Sequence, residues 1–145
     1  MKRIYSILLF ACSLGLVSCE LESSDNGNLD GFWQLYQTDT LTTGGVTDMR
    51  SAPAYWAVQH HLLEIKHVAN TQMNVLFSFA HQGDSLILSD PYFNNRDSSD
   101  IKITDAALLH PYGISRLRES FFVEQLNGNR MRLRTDRLRF HFRKY

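Results

Sequence analysis

The sequence is poor in the residues and patterns that carry most covalent and redox chemistry. It holds only two cysteines, Cys12 and Cys19. Beyond residue 19 there is therefore no thiol for a disulfide, a thiolate nucleophile or a cysteine metal site. Gly-x-Ser-x-Gly, the phosphate-binding loop and the dinucleotide fingerprint are all missing. The one long apolar run, Ile4 to Val17, is too short to span a bilayer comfortably. No internal repeat and no second domain can be made out. These gaps lead us to expect a protein that is not an enzyme, with no catalytic residue, no metal and no cofactor.

What is present at the N-terminus is specific. Lys2 and Arg3 precede the apolar run, and Leu16-Val17-Ser18-Cys19 closes it. A basic start, a short apolar stretch and a small residue before a cysteine are the parts of a lipoprotein signal. Residues 1–18 are accordingly read as a signal peptide and Cys19 as the lipidated first residue of the mature chain. One acyl chain anchors only marginally, and bacterial lipoprotein processing adds more than one. Residues 19–28 are polar, acidic and aperiodic, and read as a flexible tether. Residues 29–145 form one domain, large enough for a real core.

Hydrophobic residues make up 43% of the chain, an ordinary globular share, so the domain is expected to be folded. The formal net charge is zero but unevenly spread. Residues 19–115 carry twelve acids against four bases, and residues 116–145 carry nine bases against three acids. Two oppositely charged parts of one fold that neutralise each other account for this as well as a charged partner does.

The domain reads as β-structure. Leu29–Tyr36 is the first strand, with Trp33 and Leu35 on one face. Thr38 to Pro53, rich in Thr, Gly and Ser, reads as a long loop of the kind that often carries function. Tyr55–Val68 reads as one strand. Met73–Ser89 is a hairpin. With Gln82-Gly83 as its two-residue loop, Phe79 faces Leu86 and Phe77 faces Leu88. A polar loop covers Asp90–Asp100. A short helix follows, with Thr104 as N-cap, and stops at Pro111 and Gly113. Phe121–Leu126, Arg130–Arg134 and Leu138–Lys144 close the chain as three strands, each with one apolar and one charged face.

Three stretches resemble a known family. They are Gly31-Phe32-Trp33, the hairpin from Phe121 to Arg134 with its Asn-Gly turn, and the closing strand Leu138-Arg139-Phe140-His141-Phe142-Arg143-Lys144. Together they resemble the lipocalin-like lipoproteins of Bacteroidetes-type bacteria. The resemblance implies an all-β, antiparallel up-and-down barrel of about seven or eight strands with one short helix. It implies that Trp33 packs at the closed end of the barrel beside Arg143. It also implies that Glu20, Glu22 and Asp25, just after the cysteine, act as a surface-export signal. The chain is shorter than true lipocalins and has no C-terminal helix, which leaves the size of an internal cavity open.

His60 and His61 on one strand would point to opposite faces, and His60 and Glu64 would lie about 13 Å apart, too far for one metal. Trp33 and Trp56 read first as core residues and second as sugar-stacking platforms. With Thr135-Asp136 as a two-residue loop, Arg134 faces Arg137, Arg132 faces Arg139 and Arg130 faces His141. A three-residue loop at Asn127–Asn129, with one left-handed residue, puts Glu124 opposite Arg132. Arg130, Arg132, Arg134, Arg137 and Arg139 would then form an outward stripe opposed by a single acid, either solvated or meeting an anionic glycan or lipopolysaccharide phosphate.

The functional expectation is a lipid-anchored, surface-exposed outer-membrane protein, monomeric, with no nucleic-acid partner. It would bind a small apolar or amphiphilic ligand under the Thr38–Pro53 loop. The alternative is a packed barrel whose surface binds glycan or another envelope protein.

Overall fold

Large apolar residues at every second position make strands that must bury one face. In the computed structural model, which describes residues 24–67 and 73–145, they do so by closing on themselves. The strands are β1 (Gly31–Thr40), β2 (Gly45–Asp48), β3 (Ala54–Gln59), β4 (Leu62–His67), β5 (Val75–Gln82), β6 (Ser85–Phe93), β7 (Ile101–Lys102), β8 (Glu119–Leu126), β9 (Arg130–Arg134) and β10 (Leu138–Lys144). Every pairing is antiparallel, and β10 returns to pair with β1 along its whole length. Closure removes the exposed edges of an open sheet.

The ten strands occupy eight positions around the barrel. The first half of β1 pairs with β3 and the second half with β2, so β2 and β3 share one position. In the same way β6 pairs with β8 through Ser85–Leu88 and with β7 through Tyr92 and Phe93. The two interruptions are bridged by residues 49–53 and by residues 103–118. The second bridge contains a 3-10 helix at Ala106–Tyr112.

The interior is solid. Trp33, Trp56, Phe77, Phe121, Phe140 and Phe142 are all less than 2% exposed. Trp56 sits at the centre, with ring centroids 4.8 Å from Phe142 and 5.7 Å from Phe121. Each fully buried side chain of this kind stabilises the fold by about 1.5–3 kcal/mol. Trp33 and Trp56 are thus core residues, unavailable for stacking on a sugar.

Several expected elements differ in detail. The first strand runs on to Thr40, and part of the expected loop folds back as β2. The expected strand Tyr55–Val68 is two strands, because His60, at φ +53, turns the chain with His61. The β5–β6 loop is Gly83-Asp84, not Gln82-Gly83, so Phe79 faces Leu88 and Phe77 falls in a bulge. The N-cap of the short helix is Asp105, whose carboxylate accepts from the Ala107 N–H at 2.9 Å, and Pro111 lies inside the helix. The expected polar loop begins later, since β6 extends to Phe93.

The segment expected to be a flexible tether is held from Ser24 onward. Ser24 Oγ donates to Asp30 Oδ1 (2.6 Å) and accepts from the His60 N–H (2.7 Å). Asn26 Nδ2 donates to the His60 carbonyl (2.8 Å). Burial alone would raise the Asp30 carboxyl pKa, but the hydrogen bonds from Ser24 and Asn26 outweigh it and lower the value. Cys12, Cys19, Glu20 and Glu22 lie outside the described residues, and Asp25 is exposed.

Candidate functional site

Because aromatics fill the barrel's centre, space for a ligand is found at an end. A bulge in β1 between Leu35 and Gln37 and the break between β2 and β3 spread the wall there. The 3-10 helix crosses the opening. Between them lies a cleft of about 280 Å³. Leu35, Ala54, Leu138 and Phe140 form its apolar floor, and Thr38, Thr40, Thr47 and Met49 form one rim. His67, His110, Pro111, Tyr112 and Gly113 form the other. Thr38, Thr40, Thr47 and Met49, from the stretch expected to be a long loop, all line this cleft.

Gly113 shapes the cleft. It ends the helix at φ +77, a left-handed conformation that suits glycine. A Cβ there would stand 2.8 Å from Phe140 Cε1, so the helix end can lie directly on the Phe140 ring. The Tyr112 hydroxyl donates to the Met73 carbonyl. The Tyr112 and His67 rings meet edge to face at 5.0 Å. Burial lowers the His67 pKa and raises that of Tyr112. Both are therefore neutral near pH 7, and His67 Nε2 has no hydrogen-bond partner among the described residues. The floor and rim thus combine apolar surface with the hydroxyls of Thr38, Thr40 and Thr47, which suits a small amphiphile.

The charged outer wall is a second candidate. The β9–β10 loop is Asp136-Arg137, closed by the Thr135 N–H to Leu138 carbonyl bond at 2.8 Å. The register therefore differs from the expected one. Arg134 faces Arg139, Arg132 faces His141 and Arg130 faces Arg143, while Arg137 stands in the turn. No residue of Asn127–Asn129 has a positive φ; Asn127 Oδ1 instead accepts from the Asn129 and Arg130 N–H groups. Val123 faces Leu133 as expected, but Glu124 falls in a bulge instead of facing Arg132.

That bulge aims Glu124 at three arginines. Its carboxylate accepts from Arg132 Nε (2.8 Å) and from Arg139 Nε and Nη2 (both 2.9 Å). Arg134 Nε is 3.0 Å away, ion-paired but without hydrogen-bonding alignment. The hydrogen bonds from Arg139 are the main reason the Glu124 pKa is lowered. Nor is Glu124 the only acid present. Asp39 comes across the β1–β10 seam, and its Oδ2 lies 2.7 Å from His141 Nε2. Burial raises the Asp39 pKa, and the bonds to His141 and Gln37 more than reverse it. Asp39, 102 positions from His141 in the sequence, thus adds a second carboxylate beside the stripe.

Among the described residues, no group of three or more His, Cys, Asp or Glu is arranged to hold a metal ion. None of the described helices is long and apolar enough to cross a membrane.

Comparison with known proteins places this architecture. A family model described as a lipocalin-like domain matches residues 14–145. The chain belongs to that family. Two solved structures share the fold of this lipocalin-like domain. A lipocalin-like protein from Bacteroides uniformis is 17% identical, with a TM-score of 0.63, over 82% of this chain and 100% of that one. An uncharacterized protein from Bacteroides eggerthii is 20% identical, with a TM-score of 0.57, over 80% of this chain and 98% of that one. No curated protein matches the sequence.

Within the lipocalin-like barrel, Gly31-Phe32-Trp33 acquires a physical reason, and one expectation is corrected. The cation over the Trp33 ring is Lys144, not Arg143, with Nζ 4.7 Å from the centroid. Trp33 and Lys144 are direct cross-strand partners, and Arg143 lies opposite Gln34, donating from Nε to its Oε1 at 2.6 Å. Successive residues on a strand face opposite sides, so an error of one position changes the partner altogether. Gly31, at φ +127, leaves room for the lysine stem. Trp33 Nε1 donates to the Leu29 carbonyl at 2.9 Å.

Sequence reasoning missed His67, Asp39 and Lys144 as site residues. Only Lys144, next to the family-implied Arg143, had a signal that pointed near it.

Proposed function

We propose that this lipocalin-like barrel is a non-catalytic binding module for a small apolar or amphiphilic ligand, held at the mouth of the barrel. The observation that carries this reading is the cleft over Leu35, Ala54 and Phe140, rimmed by threonine hydroxyls and by uncharged His67 and Tyr112. Its volume of about 280 Å³ suits a small molecule or one end of a longer amphiphile. The aromatic residues that fill the barrel's centre support placing the ligand at the mouth. The lipobox at Leu16–Cys19 supports an envelope location, with the domain lipid-anchored at the outer membrane and displayed on its surface through Glu20, Glu22 and Asp25.

Native mass spectrometry of protein purified from its own host is expected to show a co-purifying small molecule. Thr47→Trp, at an exposed rim position, is expected to exclude that molecule without unfolding the barrel. Retention of the molecule by Thr47→Trp, or its absence from the unaltered protein, refutes binding at the mouth. The second reading, a surface that binds glycan or another envelope protein, is favoured by the solid interior and by the cationic wall.

A further inference from the structure

The basic wall is not uniform. Arg132, Arg134 and Arg139 are all engaged by Glu124. Arg130 and Arg143 are direct cross-strand partners, an arrangement in which like charges repel. Neither these two nor Lys144 makes an ion pair among the described residues. The three cations, with Asn127 and Asn129 of the β8–β9 turn, line a cleft of about 440 Å³ that contains no carboxylate.

The donors in this cleft are positioned before any ligand arrives. Arg143 Nε is held by Gln34, itself only 4% exposed, which leaves the two Nη groups. Arg130 lies 5.5 Å from the Tyr36 ring centroid. Lys144 Nζ is steadied by Trp33 and by the Asn28 carbonyl at 3.2 Å. Asn127 has committed its side-chain oxygen to backbone N–H groups, so its amide NH₂ is what it retains to offer. Paired guanidinium groups match the oxygens of a phosphate with parallel, charge-assisted hydrogen bonds. We infer that this cleft binds a phosphate-class oxyanion through Arg130, Arg143 and Lys144, assisted by the asparagine amides.

The place of the cleft in the fold bears on the source of that phosphate. Lys144 contacts Asn28, in the segment through which the chain enters the barrel. Ser24, pinned at His60, is five residues from Cys19, at most about 18 Å of extended chain. If Cys19 carries lipid, the cleft lies within reach of the bilayer surface and of phospholipid headgroups.

The test titrates the full-length protein, in a nonionic detergent at low salt, with inorganic phosphate. Saturable binding that weakens as salt rises is expected. R130Q/R143Q is expected to weaken it by about tenfold or more. Arg116→Gln, at an exposed arginine outside the cleft, is expected to leave it unchanged. No saturable binding, or equal binding by R130Q/R143Q, overturns the site. Should R130Q/R143Q not fold, the side-chain amide NMR signals of Asn127 and Asn129 in the unaltered protein decide. They are expected to shift on adding phosphate, and signals that stay put refute the site. A vesicle arm separates the sources by measuring protection of Lys144 from amine acetylation. Protection in phosphatidylglycerol vesicles but not in phosphatidylcholine vesicles identifies a lipid headgroup. Phosphate binding with equal acetylation in both identifies a free oxyanion.

Discussion

Lys144 lies over the indole of Trp33, and its stem crosses Gly31 so closely that a Cβ there would meet Cε at 3.1 Å. The glycine, the tryptophan and the last strand therefore form one unit at the barrel seam. Gly31→Ala must accept φ +127 and displace the lysine, and is expected to cost about 1–3 kcal/mol. Lys144→Met keeps the stem and removes the charge, and is expected to cost about 0.5–1 kcal/mol. Urea unfolding of the two variants measures both, and a smaller loss for Gly31→Ala than for Lys144→Met contradicts this account.

Glu124 is the anion that allows three arginines to share one wall. Its side chain is 14% exposed, while those of Arg132, Arg134 and Arg139 reach solvent, so the network is worth less than a fully buried one. Glu124→Gln is expected to destabilise by about 1–2 kcal/mol at neutral pH. The folded-state pKa of Glu124 lies below its ordinary 4.5, so its contribution is complete above that value and is lost as pH falls through the folded value. The gap between the urea midpoints of the two proteins should close in acid; a gap that does not vary with pH would show that the carboxylate charge is not its origin.

Gly113→Ala places a methyl against Phe140 at a residue with φ +77. Strain and overpacking together are expected to cost about 2–4 kcal/mol. The thermal midpoint reads the loss, and an unchanged midpoint means that the helix end does not rest on Phe140.

Cys19→Ala is expected to leave the protein unacylated and to release it from the membrane fraction. Continued sedimentation with membranes, resistant to extraction without detergent, contradicts the lipobox reading. Neutralising Glu20, Glu22 and Asp25 together is expected to leave the protein anchored but shielded from protease added to whole cells.

Alternation alone located most strands to within a few residues and assigned the faces of β5, β6, β8, β9 and β10 correctly. Trp33, Leu35, Phe121, Phe140 and Phe142 point inward because no other arrangement of a period-two pattern buries them. Register was less legible, for the same reason. The β5–β6 and β9–β10 hairpins each pair two residues away from the expected match, and a shift of two returns every side chain to its own face. Hydrophobic patterning does not distinguish such registers; turn chemistry does, through Gly83 at φ +55 and the Thr135 hydroxyl accepting from the Leu138 N–H. The sites depend on closure. Asp39 reaches His141, Gln34 reaches Arg143 and Lys144 reaches Trp33 only because β10 returns to β1, and the mouth cleft exists only where the 3-10 helix meets Phe140. Local composition specifies which residues seek burial. Contacts between chain ends depend on how tilted strands close the barrel, and no short stretch of sequence encodes that.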